Sequence, residues 1–560
     1  MLSATGRGGA VAAAHPAAVE AGLDVLRAGG NAVDAAVATA FALTVVDPGN
    51  ASLGGRGSML VHLAKDGRLF SLDFNTVCPR LAGPDVYEVV PTRAGEWWSV
   101  KDFANTIGHR AVSLPGTAAG LCAAATRYGT MPLDRLTERA AELAEGGFAV
   151  PVSLEMSLAG ARERLLRHPA SAAVFAPRGR TLRRGELLAN PDLARTLRRL
   201  GREGADCFYR GELARAIVED MRANGGLLTA EDLAEYRVKE HDPAKVTYRD
   251  HEVAVTPVCT GGPAVLQALN ILEGFDLPDA EPFAPSTIHL AVEAMKLTWA
   301  DRFAYVADPA FVPVPLAGLL SKEYAATRRA VIDPGRANPA PAAGDPWPFD
   351  GGRQGAPMPP SARRSGAGGD TTYCCAWDAA GNVVSLTHTL CGSFGSGVMV
   401  PGTGVLLNNG MYWFDPRPGS ANSIAPGKVP LNNQAETIVL REGKPVLAIG
   451  SPGGRRLVTT IILALSRILD HGFTPAEALA APRLHVEDRE PVVFERSWLT
   501  SVAGGMELLL DLQDLGHELA TLGITDRFIS GPAHAIGLNP ATGELCAAGD
   551  PRQPGAAGVC

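Results

Sequence analysis

No stretch of this 560-residue chain approaches the roughly 20 uninterrupted apolar residues that span a bilayer. The longest apolar run, residues 32–46, is broken by Asp34 and reads as a buried helix. The N-terminus, MLSATGRGGAVAAAHP, lacks the apolar core of about 7–15 residues that a secretory leader needs, so the expected location is cytoplasmic. Basic excess is missing too. Lys and Arg number 51 against 59 Asp and Glu, for a net charge of -8 and a pI near 5.9, which disfavours nucleic acid as the main ligand. The nine cysteines (78, 122, 207, 259, 374, 375, 391, 546 and 560) are odd in number and show no Cys-x-x-Cys, so free thiols are expected rather than zinc or a redox pair. Hydrophobic residues at 46% and charged ones at 20% exclude a disordered or collagen-like chain. The length exceeds one ordinary core of about 100–200 residues.

Signature motifs are also missing. There is no Gly-x-Ser-x-Gly, Ser-x-x-Lys, Walker loop or His-Glu-x-x-His, and the corresponding hydrolase, nucleotide and zinc-protease classes recede. The run Gly392–Gly397 leads into Val398-Met399-Val400 rather than a helix and reads as a turn. The twelve histidines are scattered without i, i+4 pairing, so neither a metal nor a cofactor is expected.

What is present falls into three stretches. From His15 to Val46, Val19, Leu23 and Leu26 at helical spacing, then Gly29-Gly30-Asn31, predict a helical hairpin with a glycine stop and an asparagine cap. Residues 110–330 read as mostly helical, with the arginines between 162 and 202 forming a solvated face. Pro334 to Asp370 is dense in Pro, Gly and Ala and reads as a linker or mobile loop. From Thr371 the pattern turns to strands. Thr372–Asp378 and Val383–Thr389 flank Ala379-Ala380-Gly381, and Thr437–Arg441 and Pro445–Gly450 flank Glu442-Gly443. A helix follows over residues 457–469, and a last hairpin closes at Asn539–Gly543. Helices before the linker and sheets after it predict helical layers covering β-sheets.

The border Gly368-Gly369-Asp370-Thr371-Thr372 is the one place with chemistry to offer. A threonine opening a strand is ordinary on these residues alone. If the Asp370–Thr371 bond is cut, however, Thr371 carries both a hydroxyl nucleophile and a free α-amine, whose ordinary pKa of about 7.7–8.0 suits a general base.

This junction, with Thr387-His388-Thr389-Leu390, Gly404–Asn409 and Gly450-Ser451-Pro452-Gly453-Gly454, resembles the small subunit of the γ-glutamyltranspeptidase family. His15-Pro16, Gly29–Ala36, Leu53-Gly54-Gly55, Leu114-Pro115-Gly116, Asp301-Arg302, Asp308-Pro309 and Gly318–Lys322 resemble its large subunit in the same order. The resemblance implies an α+β, four-layer αββα N-terminal-nucleophile hydrolase fold, one large domain made from two autoprocessed subunits, 1–370 and 371–560. These would associate as a heterodimer, with a further dimer of such pairs left open and no nucleic-acid or membrane partner. It implies Thr371 as the nucleophile of both autocleavage and catalysis, Thr389 as its hydrogen-bonded second threonine, and the amides of Gly453 and Gly454 as the oxyanion hole.

The departures from the family pattern bear on substrate. The arginine that holds the glutamyl α-carboxylate reads here as Pro84, with Arg80 four residues away as a stand-in. Other glutamyl contacts read as Cys391 (an inert buried thiol with no basic neighbour), Gly410 (a vacancy) and Trp413, and the paired serines read as Asn432-Asn433. Arg56 and Arg455 read as surface charges, although Arg455, if it faces the pocket, can hold a carboxylate. The expectation is a hydrolase or acyltransferase acting on an amide or acyl bond of a small non-glutathione metabolite through an acyl-Thr371 intermediate. The alternatives are carbon–carbon bond cleavage, as associated with relatives in 4-alkylproline antibiotic biosynthesis, and an inactive, unprocessed scaffold.

Overall fold

Side chains of strand Thr372–Asp378 alternate between two cores. Tyr373, Cys375 and Trp377 pack with Leu60, Ile438 and Ile536, whereas Cys374 and Ala376 pack with Val33, Val37 and Phe41 of a helix. A strand that meets apolar surroundings on both faces must lie in a sheet covered by a sheet on one side and by helices on the other. That arrangement holds throughout the computed structural model, which describes residues 1–90, 100–257, 259–357, 370–521, 531–552 and 555–560.

Two seven-stranded sheets face each other. One runs in the order Ala556–Val559, Gly9–Ala13, Thr372–Asp378, Val383–Thr389, Arg56–Leu63, Arg68–Phe74, Lys239–His241, and the other Ser3–Gly6, Leu545–Gly549, His534–Leu538, Lys444–Gly450, Thr437–Arg441, His251–Val255, Ala244–Tyr248. Helices Pro16–Arg27, Ala32–Val46, Thr117–Tyr128 and Leu133–Gly146 cover the first sheet. Helices Gly262–Leu272, Pro285–Tyr305 and Arg456–Leu469 cover the second. This is the four-layer αββα architecture.

The helical hairpin forms as its sequence predicts. Asn31 caps Ala32–Val46 in a capping box with Asp34, which satisfies amides that a helix start otherwise leaves unpaired. The four downstream strands and the helix ending before Gly472 also lie where expected.

Three expectations are corrected. Strands are not confined to the region after residue 370; both sheets take them from either side of it. Residues 334–357 are not a loose linker. Trp347 is buried, the Tyr305 hydroxyl donates to Gly344 O at 2.6 Å, and Ala337 N donates to Leu515 O at 2.7 Å. The rest of that segment, 358–369, including Gly368 and Gly369, lies outside the described residues. Among the arginines, 198 and 199 do pair with acids on a solvated helix face, but Arg164 is turned inward and donates to Ser393 O at 2.6 Å and Gly395 O at 2.8 Å. Among the described residues no helix is long and apolar enough to cross a membrane.

Candidate active site

The Asp370–Thr371 junction enters the sheet at the end of a central strand. Pairing of Thr372 with His388 and of Thr389 with Arg56, carried one step further, sets Thr371 beside Thr389. The hydrogen bonds agree with this register. Thr371 Oγ1 donates to Thr389 Oγ1 at 3.2 Å, Cys391 N donates to the same oxygen at 2.8 Å, and Thr389 Oγ1 donates its only proton to the carbonyl of Asp370 at 2.6 Å. One hydroxyl thus contacts both the Thr371 hydroxyl and the Asp370 carbonyl, an arrangement in which it can donate to charge developing on that oxygen.

Parity fixes what else faces this point. Tyr373, Val383 and Leu60 all point into the gap between the sheets, so Thr371, Thr389 and Arg56, each an even number of residues away along its strand, point into it too. They form a row across three neighbouring strands. Asn75 continues the row, accepting from Arg56 Nη1 at 2.6 Å.

The model of the gamma-glutamyltranspeptidase family matches residues 18–560. An Acylase ACY 1 proenzyme of Pseudomonas sp. (strain V22) is 38% identical over 97% of this chain and 92% of its own length, and the Glutathione hydrolase proenzyme of Escherichia coli (strain K12) is 35% identical over 97% and 90%. The crystal structure of cephalosporin acylase from Bacillus halodurans superposes with a TM-score of 0.87 at 30% identity, covering 100% of this chain and 97% of that one. The chain belongs to the gamma-glutamyltranspeptidase family. It is accordingly an enzyme of the hydrolase and acyltransferase type on an N-terminal-nucleophile hydrolase fold.

In this family member the remaining expected residues divide. Gly453 and Gly454 take φ of 119° and 63° and lead into helix Arg456–Leu469, a conformation that side chains other than glycine rarely adopt. Cys391 follows Thr389 closely, with φ of 80°. Its thiol does have a basic neighbour, Arg56 Nε at 2.9 Å, but burial outweighs that contact and pushes its pKa up, so it is no thiolate nucleophile. Gly410 is not a vacancy: a Cβ there would lie 2.0 Å from Ser113 Oγ and 2.8 Å from Thr76 Cγ2. Trp413 is buried, its ring 6.0 Å from the Arg56 guanidinium. Asn432 turns toward Asn75, while the Asn433 amide oxygen accepts from Arg302 Nη2 at 3.2 Å and so points elsewhere.

Both arginines read as surface charges are buried or nearly so. Arg56 is 2% exposed. Arg455 pairs with Glu487 at 2.9 Å and lies over the Phe303 ring, which makes it part of a fixed ion pair. Arg80 is paired as well, with Asp232 at 2.9 Å and Glu235 at 2.5 Å, and Pro84 is exposed. Among the described residues, neither Arg80 nor Pro84 therefore offers a free cation at the position of the family's carboxylate-holding arginine.

One buried acid near the junction escaped sequence reasoning. Asp47 follows the fully buried helix Ala32–Val46, and its Oδ1 accepts from Asn50 Nδ2 at 2.8 Å. Its Oδ2 is enclosed beside the Thr372 hydroxyl, with neither atom completing a hydrogen bond of ordinary geometry. Burial, with the Asp370 charge nearby, raises its pKa to about 7. The available signal was an acid ending an otherwise apolar run.

A group able to hold a metal exists elsewhere, at His289, Glu293 and His517. Lys296 Nζ lies 2.6 Å from Glu293 and 2.7 Å from Glu490, and His289 Nδ1 lies 2.8 Å from His517 Nε2. An ammonium already neutralises this cluster, so it fits an ion-pair network better than a cation site.

Proposed function

We propose that the chain is a precursor that cuts itself between Asp370 and Thr371, giving subunits 1–370 and 371–560, and that the mature enzyme transfers acyl groups through Thr371, with water as the default acceptor. In maturation the Thr371 hydroxyl attacks the Asp370 carbonyl, its proton passes to the Thr371 nitrogen, and the C–N bond breaks to leave an ester. The Thr371 amine is then free, and water hydrolyses the ester to release the Asp370 carboxylate and regenerate the Thr371 hydroxyl. In turnover that amine accepts the hydroxyl proton as the oxygen attacks the substrate carbonyl and returns it to the leaving group. Water then cleaves the acyl-threonine. The Gly453 and Gly454 amides are assigned to the oxyanion of this second reaction, where loss of one donor typically costs about 2.7–4 kcal/mol.

The observation that carries the reading is the single Thr389 hydroxyl bonded to both Thr371 Oγ1 and Asp370 O. The substrate is assigned as a small amide other than glutathione, because Arg80 is occupied by two acids and Pro84 cannot bind a carboxylate. Intact mass of the purified protein tests the proposal. Two fragments, the smaller beginning at Thr371, are expected, together with slow turnover of γ-glutamyl-p-nitroanilide. Thr371→Ala should give one uncut, inactive chain, and scission in that variant would refute the assignment.

A further inference from the structure

Thr372 and Leu390 are the residues that follow the two site threonines, and one carboxyl stands behind both. Helix Ala32–Val46 ends at Asp47, on the side of strand Thr372–Asp378 to which Cys374 and Ala376 also point, away from the gap that Thr371 faces. Asp47 Oδ1 accepts from Asn50 Nδ2 at 2.8 Å, and the Asp47 carbonyl accepts from Asn50 N and Ala51 N at 3.0 Å each. These bonds close a turn whose own carbonyls grip the chain beyond Thr389. Asn50 O accepts from Leu390 N and Gly49 O from Phe394 N, both at 2.8 Å. The second carboxyl oxygen, Oδ2, lies beside the Thr372 hydroxyl. Each site threonine therefore has its next residue tied to the same side chain.

This polar contact stands where packing asks for none. The helix that Asp47 ends is apolar and buried along its whole length, and Thr372 is fully buried. Although part of Asp47 reaches the surface, Oδ2 is enclosed, and neither it nor Thr372 Oγ1 has another partner among the described residues. An enclosed oxygen of this kind is costly unless it meets a polar neighbour. The charged group whose field reaches it is Asp370, which in turn lies in the field of the Arg164 guanidinium. His388 pairs with Thr372 across the strands and shares its face, but burial lowers its pKa to about 3 and keeps it neutral. Burial and the Asp370 charge lift the Asp47 carboxyl to about 7. Below that pH it carries a proton and can donate to Thr372 Oγ1.

We propose that Asp47 is a positioning residue for scission of the Asp370–Thr371 bond, one oxygen setting Thr372 and with it Thr371, the other holding the turn that places Leu390 and with it Thr389. It acts through these neighbours and contacts neither reacting group. The neutral carboxyl is the working form. Once ionised it still accepts from Thr372, but its charge stands near a carbonyl whose oxygen gains negative charge as Thr371 attacks, and like charges oppose the step. The inference rests on the reading of Asp370–Thr371 as the scissile bond and adds what aligns that bond.

The test follows fragment appearance on a denaturing gel for full-length chains made in a short cell-free pulse and shifted to buffers from pH 6 to pH 8. Asp47→Ala, which removes both arms, should slow scission by about 10–100-fold, the effect of a small misplacement of reacting groups. Asp47→Asn offers an acceptor to Asn50 and a donor to Thr372 and should restore most of the rate at pH 6. A carboxyl titrating at about 7 is about nine-tenths protonated at pH 6 and one-tenth at pH 8, so the ratio of wild-type to Asp47→Asn rates should fall up to about tenfold between them. A purely structural role does not move that ratio. Asn50→Ala and Thr372→Val each cut one arm and should each slow scission by less than Asp47→Ala. Wild-type rates in Asp47→Ala, or a ratio that stays flat across this range, overturns the proposal. If Asp47→Ala fails to fold, the pH course of the wild type against Asp47→Asn decides alone. A wild type that cuts with a flat ratio refutes the role of Asp47 only, whereas a wild type that never cuts refutes the scission reading and takes this role with it.

Discussion

Thr389 has more to do than hold its neighbour. Its proton is on the Asp370 carbonyl and its lone pairs accept from Thr371 and Cys391, so replacing it removes the donor to that carbonyl and the acceptor for Thr371 together. Thr389→Ala should slow precursor scission by about 10²–10³-fold, while Thr389→Ser, which keeps the hydroxyl, should process at a rate near that of the wild type. A time course of fragment appearance on a denaturing gel measures both. Asp47 lies beside Thr372, on the other face of the strand. Its carboxyl titrates near 3.8 when unfolded and at about 7 in the fold. Between those values the folded chain binds more protons than the unfolded one, so stability falls as pH rises across that window and is level above it. In the uncut Thr371→Ala precursor, Tm should therefore drop by about 3 °C from pH 5 to pH 8 on account of Asp47. Adding Asp47→Asn should abolish that part of the slope.

The turn Gly410–Trp413 shows how tightly the loops after strand Val383–Thr389 are set. Gly410 N donates to Asn408 Oδ1 at 2.8 Å, and the absent side chain leaves room for Ser113 and Thr76. Gly410→Ala should cost about 1–3 kcal/mol by overpacking, read as a lower melting temperature of the processed protein. The same contrast between loops and strands explains what was legible in the sequence. The downstream hairpins announced themselves through turns such as Glu442-Gly443 and Asn539–Gly543. Strand Gly9–Ala13, by contrast, is buried on both faces and lacks the alternation by which a half-buried strand is recognised, so the upstream half read as helical. At the site, Thr371 was visible because the junction marks it, and Thr389 only through the family resemblance. The burial of Arg56 was not, because its partners Asn75 and Cys391 lie 19 and 335 residues away in sequence and only strand pairing brings them together.

Interleaving of the two halves governs what scission can do to the whole molecule. Strand Thr372–Asp378 lies between Gly9–Ala13 and Val383–Thr389, Arg56–Leu63 pairs with Val383–Thr389, and Thr437–Arg441 pairs with His251–Val255. Separating residues 1–370 from 371–560 thus means tearing both sheets and opening the apolar layers between and outside them. Ion pairs cross the same boundary, the buried Lys296 with Glu490 at 2.7 Å and the half-buried Arg249 with Asp470 at 3.0 Å, but the sheet ladders and apolar contacts dominate, and salt does not screen those. The cut fragments should co-elute as one species on size exclusion even in about 1 M salt, where surface pairs are screened to within about 3 Å. They should part only at denaturant concentrations that unfold the protein, with release of the smaller fragment coinciding with loss of tryptophan burial. Elution of separate fragments from native buffer would contradict the interleaved sheet order itself.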